Sequence, residues 1–104
     1  MWKNIKTDGI AKIEKRVAVF DVWELRLTPY ARFQVKIMES ADGVYTGYTN
    51  IQVKDKTGDY CGAVGDGDTI EDALKETIAR LMNRLSTKEV WEESEFTYTD
   101  PADW

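Results

Sequence analysis

Histidine is absent from this 104-residue chain, and there is one cysteine and there are two prolines. The missing histidine removes the commonest general base and metal ligand, and the partner of most serine or cysteine nucleophiles. A lone Cys61 allows no internal disulfide, which makes a reducing cytoplasm the expected setting. No run approaches the ~20 apolar residues that span a bilayer, so no membrane association is expected. The N-terminus MWKNIKTDGIAKIEKR has no apolar stretch of the secretory kind. Hydrophobic residues make up 42% and charged ones 32%, a balance that folds rather than stays disordered. The length suits one domain, residues 1–104, with a single modest core.

The net charge of −5 is segregated. Residues 1–16 form a basic head with Lys3, Lys6, Lys12, Lys15 and Arg16. Over residues 1–86 as a whole, acids and bases cancel. Residues 87–104 set Lys88 against Glu89, Glu92, Glu93, Glu95, Asp100 and Asp103, and so carry the whole excess. Nucleic-acid binding needs a surplus of Lys and Arg on one face, so direct binding to DNA or RNA is not expected.

The strongest local pattern is GDGDTIEDALKETIARLMNRL, Gly65 to Leu85. Thr69 is the expected N-cap, with Asp72 as a shortened capping-box acid. Ile70, Ala73, Leu74, Ile78, Leu81, Met82 and Leu85 recur at three- and four-residue spacing, one apolar face of a long helix. Strand patterns come before it. Val17 to Leu27 reads as a strand ended near Pro29, and Phe33, Val35 and Ile37 mark a second. Tyr45 to Val53 marks a third, and Asp59 to Val64 a short fourth with a bulge or close approach at Gly62. Ser40–Gly43 and Asp55–Gly58 are the turns between them. After the helix, Glu95 to Thr99 has strand propensity, with a free end at Trp104. The expected fold class is α+β, a two-layer sandwich. An antiparallel meander sheet of four to five strands forms the core over residues 17–86, with one amphipathic helix packed on one face.

Chemistry is harder to find. Gly62, Gly65 and Gly67 lie between strand and helix, but in the order G-x-x-G-x-G without a following Gly-Lys-Ser/Thr. A tight turn whose acids favour the helix dipole explains them. Asp66 and Asp68 alternate as calcium-loop acids do, but with Glu71 the helix has already begun and it points Asp72 along its own axis, so no metal and no cofactor are expected. Cys61 has no base to activate it and reads as a buried or half-buried structural residue. The protein is therefore read as a non-enzyme.

The tail EVWEESEFTYTDPADW interleaves aromatics with acids, as protein interfaces do. Its candidate partner-binding residues are Trp91, Glu92, Glu93, Glu95, Tyr98, Asp100, Asp103 and Trp104, which would attract a protein partner with a basic surface. Phe96 or Trp91 is also expected to reach the core. The alternative is a small-molecule or nucleotide-sequestering protein using Tyr45, Tyr48, Gly65, Asp66, Gly67 and Asp68. An open sheet edge makes a homodimer reasonable in either case.

The hairpin ESADGVYTGY, followed by Gly67, Asp68, Thr69, Glu71, Asp72, Ala73 and Leu74 entering a helix, resembles antitoxins of the HicB type over residues 32–86. That resemblance implies a β-β-β-α fold that masks a partner rather than catalysing a reaction. Nothing like a ribbon-helix-helix or helix-turn-helix follows the helix, so operator binding does not carry over. In general character the chain is also similar to small acidic phage proteins that block host defence, including anti-CRISPR inhibitors. The expected function is occlusion of a partner's basic surface, as a phage inhibitor or an antitoxin-like factor.

Overall fold

The computed structural model describes residues 1–104. It is an antiparallel meander of four strands: β1 (Lys15–Trp23), β2 (Arg32–Glu39), β3 (Tyr45–Lys54) and β4 (Tyr60–Gly67), adjacent in chain order. One helix, α1 (Ile70–Leu85), packs on one face, and a short β5 (Phe96–Tyr98) joins β3. The α+β sandwich expected from the sequence is the fold observed. No helix is long and apolar enough to cross a membrane.

Strand alternation builds the core. Phe33, Val35 and Ile37 of β2, Ile51 and Val53 of β3, and Ala63 of β4 are buried on the helix side. Ala73, Leu81 and Leu85 of α1 meet them. Thr69 caps the helix, its Oγ1 accepting the Asp72 N–H at 3.0 Å, while Glu71 and Asp72 complement the dipole.

The helix sits rotated from the expected face. Its buried line is Ala73, Thr77, Leu81 and Leu85, whereas Ile70, Leu74, Ile78 and Met82 are half-buried on its flank. Glycine explains the rotation. A Cβ on Gly65 would lie 2.5 Å from the Thr77 nitrogen, and one on Gly67 2.6 Å from the Ala73 nitrogen. On Gly47 it would overlap the Thr77 hydroxyl. The helix backbone thus rests directly on β4, and against Gly47 of β3 only a small side chain fits beneath it. Thr77 fills that position and donates its hydroxyl to the Ala73 carbonyl at 2.7 Å.

Several boundaries differ from the sequence reading. β1 ends at Trp23 rather than near Pro29, because the Glu24 carboxylate turns the chain. It accepts the N–H groups of Arg26, Leu27 and Thr28 at 2.7–2.8 Å. β4 runs on to Gly67, so Gly65 and Gly67 belong to a strand and not to a turn. Of the two expectations at Gly62, the close approach is there, since a Cβ would lie 3.3 Å from Thr49 Oγ1, while the irregularity lies opposite, on β3 between Tyr48 and Gln52. There Thr49 Oγ1 accepts the Ala63 N–H at 2.9 Å, and the Asn50 side chain accepts the Gln34 N–H at 2.7 Å. At this point β3 exchanges β2 for β5, whose Phe96 is the aromatic that enters the core. Cys61 is exposed rather than buried, because its thiol turns toward the Asp55 carboxylate at 3.7 Å.

Candidate protein-binding surface

The β1–β2 connection and β5 converge at one end of the sheet. Glu24 N–H donates to Ala31 O at 3.1 Å, closing the connection, and Ala31 is held at φ +57°. That conformation costs a residue with a Cβ about 1 kcal/mol. It sets Tyr30 at the tip, 68% exposed, with its ring 5.6 Å from that of Tyr98. The Tyr30 hydroxyl donates to Glu93 at 3.3 Å, and the Tyr98 hydroxyl donates to Arg32 O at 3.0 Å. Burial, then the neighbouring Tyr30, holds the Tyr98 phenol above its ordinary pKa, so it remains a donor.

Trp23 ends β1 with 63% of its surface exposed, and the Arg32 guanidinium lies 5.8 Å from its ring centre. An open cleft of about 610 Å³ runs between Trp23 and Tyr98, floored by Gln34 and Asn50. Gln34 Nε2 donates to Asp21 at 3.0 Å, which fixes the amide on that floor. A second hollow lies on the other side of Tyr30, between Pro29 and Glu93. Two exposed aromatics, an arginine and a carboxylate rim therefore share one end of the molecule. These are rings a partner can bury and polar groups that can register it.

The tail residues are divided between structure and surface. Trp91 is half-buried, its Nε1 donating to Leu85 O at 2.8 Å and its ring 5.7 Å from that of Phe96. Glu92 and Glu95 cap the short turn before β5 reciprocally. Lys88 pairs with Glu95 and holds that carboxyl below its usual range. Asp100 accepts the Ala102 N–H at 2.8 Å, and Asp103 is exposed. Of these candidates Tyr98 lines the cleft, and Glu93 borders the second hollow beyond Tyr30.

Trp104 is not a free end. It folds back half-buried on the uncovered sheet face, its ring 5.2 Å from Lys36 and 5.9 Å from Arg16. Its carbonyl oxygen accepts from both cations, with Lys36 at 3.1 Å. Burial, and then Arg16, lowers the Lys36 pKa.

The alternative ligand residues do not converge. Tyr45 packs against the core on the helix side, while Tyr48 lies on the opposite face beside Lys36. Gly65 and Gly67 are filled by the helix backbone, which leaves no room there for a phosphate. Asp66 accepts the Thr46 hydroxyl at 2.8 Å, and Asp68 is exposed ahead of the cap. No group of three or more acidic or cysteine side chains is placed to hold a metal ion.

Trp23, Tyr30 and Arg32 were outside the residues expected to bind. The signal for Trp23 was present in the strand pattern, where it shares an alternating side with Asp21. No protein-family model matches the chain, and comparison with curated proteins and with solved structures returns no match to it.

Proposed function

We propose that this protein acts by contact, occluding a basic surface on a protein partner and turning nothing over. The observation that carries this reading is the pair of exposed rings, Trp23 and Tyr30, beside Tyr98 and Glu93. Tryptophan, tyrosine and arginine supply most interface hot spots, at ~2 kcal/mol or more each. Exposed Glu89, Glu92 and Glu93 lie along the same tail and supply the attraction for a basic partner. The likeness to HicB-type antitoxins and to phage anti-defence proteins supports an inhibitor of this kind. In this reading the protein works in the cytoplasm without a cofactor and without touching nucleic acid.

Removing residues 89–104 would also remove Phe96 from the core, so point variants make the cleaner test. Trp23→Ala and Tyr30→Ala are expected to weaken capture of the host partner at least ~10-fold, following the 1.4 kcal/mol per decade of affinity. Glu92→Lys with Glu93→Lys should lower the rate of capture and its dependence on salt. Folded variants that bind as tightly as the parent sink the proposal. The cleft also favours a second reading, since about 610 Å³ suits a small molecule. A raised melting temperature with one member of a nucleotide panel, lost in Trp23→Ala, would favour that reading.

A further inference from the structure

The two edges of the sheet are treated differently. On the outer edge of β4, Arg80 donates to Val64 O at 2.9 Å, and Arg84 donates to Cys61 O at 2.8 Å and to Gly62 O at 3.3 Å. Cys61 O faces β3 by alternation, so the outward carbonyls that helix side chains occupy are those of Gly62 and Val64. The outer edge of β1 has no such cover: it pairs only with β2, and residues 1–14 make no backbone bond to it. Glu24 N–H bonds Ala31 O across the hairpin, so by antiparallel alternation Val22, Phe20 and Ala18 face β2. Val19, Asp21 and Trp23 therefore present their N–H and C=O groups outward. The strand, KRVAVFDVW, is rich in β-branched and aromatic residues and free of proline, which is what an edge avoids when it must stay unpaired.

We propose that the outer edge of β1 is the homodimer contact, pairing antiparallel with β1 of a second copy about a two-fold axis at Phe20. Charge selects this occupant and orientation. β1 is basic at its start, Lys15 and Arg16, and acidic toward its end, Asp21. Antiparallel self-pairing lays each end on its opposite, whereas parallel pairing stacks like on like. Register follows from the backbone and the side chains. An axis at Asp21 sets two carboxylates face to face, and one at Val19 sets Phe20 against Ala18 and not against itself. An axis at Phe20 lets Val19 and Asp21 exchange their outward backbone bonds. It also brings Phe20 onto Phe20, and Ala18 onto Val22, on the helix side, where these residues are only half-buried in one copy. The result is a continuous eight-stranded sheet whose outer edges are the two arginine-covered β4 strands.

Sedimentation equilibrium of the full chain should show a species of twice the chain mass. Val19→Pro removes only an outward N–H, so it should give a monomer that keeps the helical circular dichroism of the parent. Should Val19→Pro fail to fold, a cysteine pair gives the answer. In a Cys61→Ser background, Val19→Cys mixed with Asp21→Cys should oxidise to a cross-linked heterodimer in preference to either homodimer. A monomeric parent at all concentrations overturns the proposal, as does a folded Val19→Pro that remains dimeric. Absence of the mixed cross-link overturns it as well. Protection of β1 amides from exchange only when a different protein is added would assign the edge to that protein and overturn the second copy.

Discussion

The β3–β4 half of the sheet and the β1–β2 half are built for different tasks. Over β4 the helix backbone touches strand backbone through Gly65 and Gly67, over β3 the Thr77 side chain sits on Gly47, and the helix arginines close the outer edge. Over β1, the inward side chains Ala18, Phe20 and Val22 are only half-buried, and Val19, Trp23 and Leu25 are exposed. Geometry forces the difference: one helix is ~10 Å across, while four strands at ~4.8 Å spacing span nearly twice that. Seating the helix tightly on β3 and β4 still buries Phe33, Val35 and Ile37 of β2 but leaves β1 under-covered. The tight side holds the fold; the loose side leaves apolar side chains uncovered.

Substitutions in the glycine seat should have the largest effect. Gly65→Ala puts a methyl 2.5 Å from the Thr77 nitrogen and 2.7 Å from the Glu76 carbonyl carbon, both backbone atoms. The helix must lift as a body, at about 3 kcal/mol or more. For a domain of this size that lowers Tm by at least ~12 °C, read by differential scanning calorimetry. Gly43→Ala is the control: it meets no atom within 4 Å but sits at φ +85°, so it should lose only about 1 kcal/mol. Equal losses at the two sites would remove the contrast between the halves.

Core truncations sharpen the same contrast. Leu81→Ala, fully buried over the tight half, should lose about 2–5 kcal/mol in urea denaturation. Phe20→Ala, half-buried over β1, should lose about 1–2 kcal/mol despite the larger side chain. If Phe20→Ala costs more, β1 is covered in solution by something beyond a single chain, as the pairing across β1 requires. Thr77→Val keeps the shape beneath the helix and removes one internal hydrogen bond, so its change should stay within about 1 kcal/mol.

The helix and its cap were legible in the sequence because Thr69, Asp72 and the apolar spacing are local signals. So were the strands, through alternation and through turns that need the positive φ of Gly43 and Gly58. The helix rotation was not legible. Apolar spacing ranks Leu74 and Ile78 above Thr77, and only the glycine seat, built from two strands, reverses the order. A strand-to-helix glycine pattern states that something approaches closely, without saying whether it is a phosphate or a helix. The aromatic cluster at this end was half legible: Tyr98 and Glu93 stood out in the tail, whereas Tyr30 and Trp23 join them only through the Glu24 turn and the exchange of partners along β3. The Glu24 carboxylate's use of three backbone N–H groups is likewise invisible to alternation, so β1 was expected to run four residues too far.

Acid should separate the turn chemistry from both halves, with the smallest effect. The Asp55 carboxylate accepts the Thr57 hydroxyl at 2.6 Å, the Thr57 N–H at 2.8 Å and the Asp59 N–H at 3.0 Å, and these bonds hold its pKa below the ordinary carboxylate value. Asp42 is lowered in the same way, chiefly by the Ser40 hydroxyl. A folded-state pKa below the unfolded one means that the unfolded chain takes up the proton first as pH falls. The stabilisation is therefore complete above the ordinary aspartate range, near pH ~4, and is lost as pH drops through the folded value. Asp55→Asn should flatten the fall of Tm across that window and lower Tm at neutral pH by about the amount the parent loses in acid. A fall as steep as the parent's would place the acid sensitivity elsewhere, with Glu95 and its Lys88 partner the next group to test.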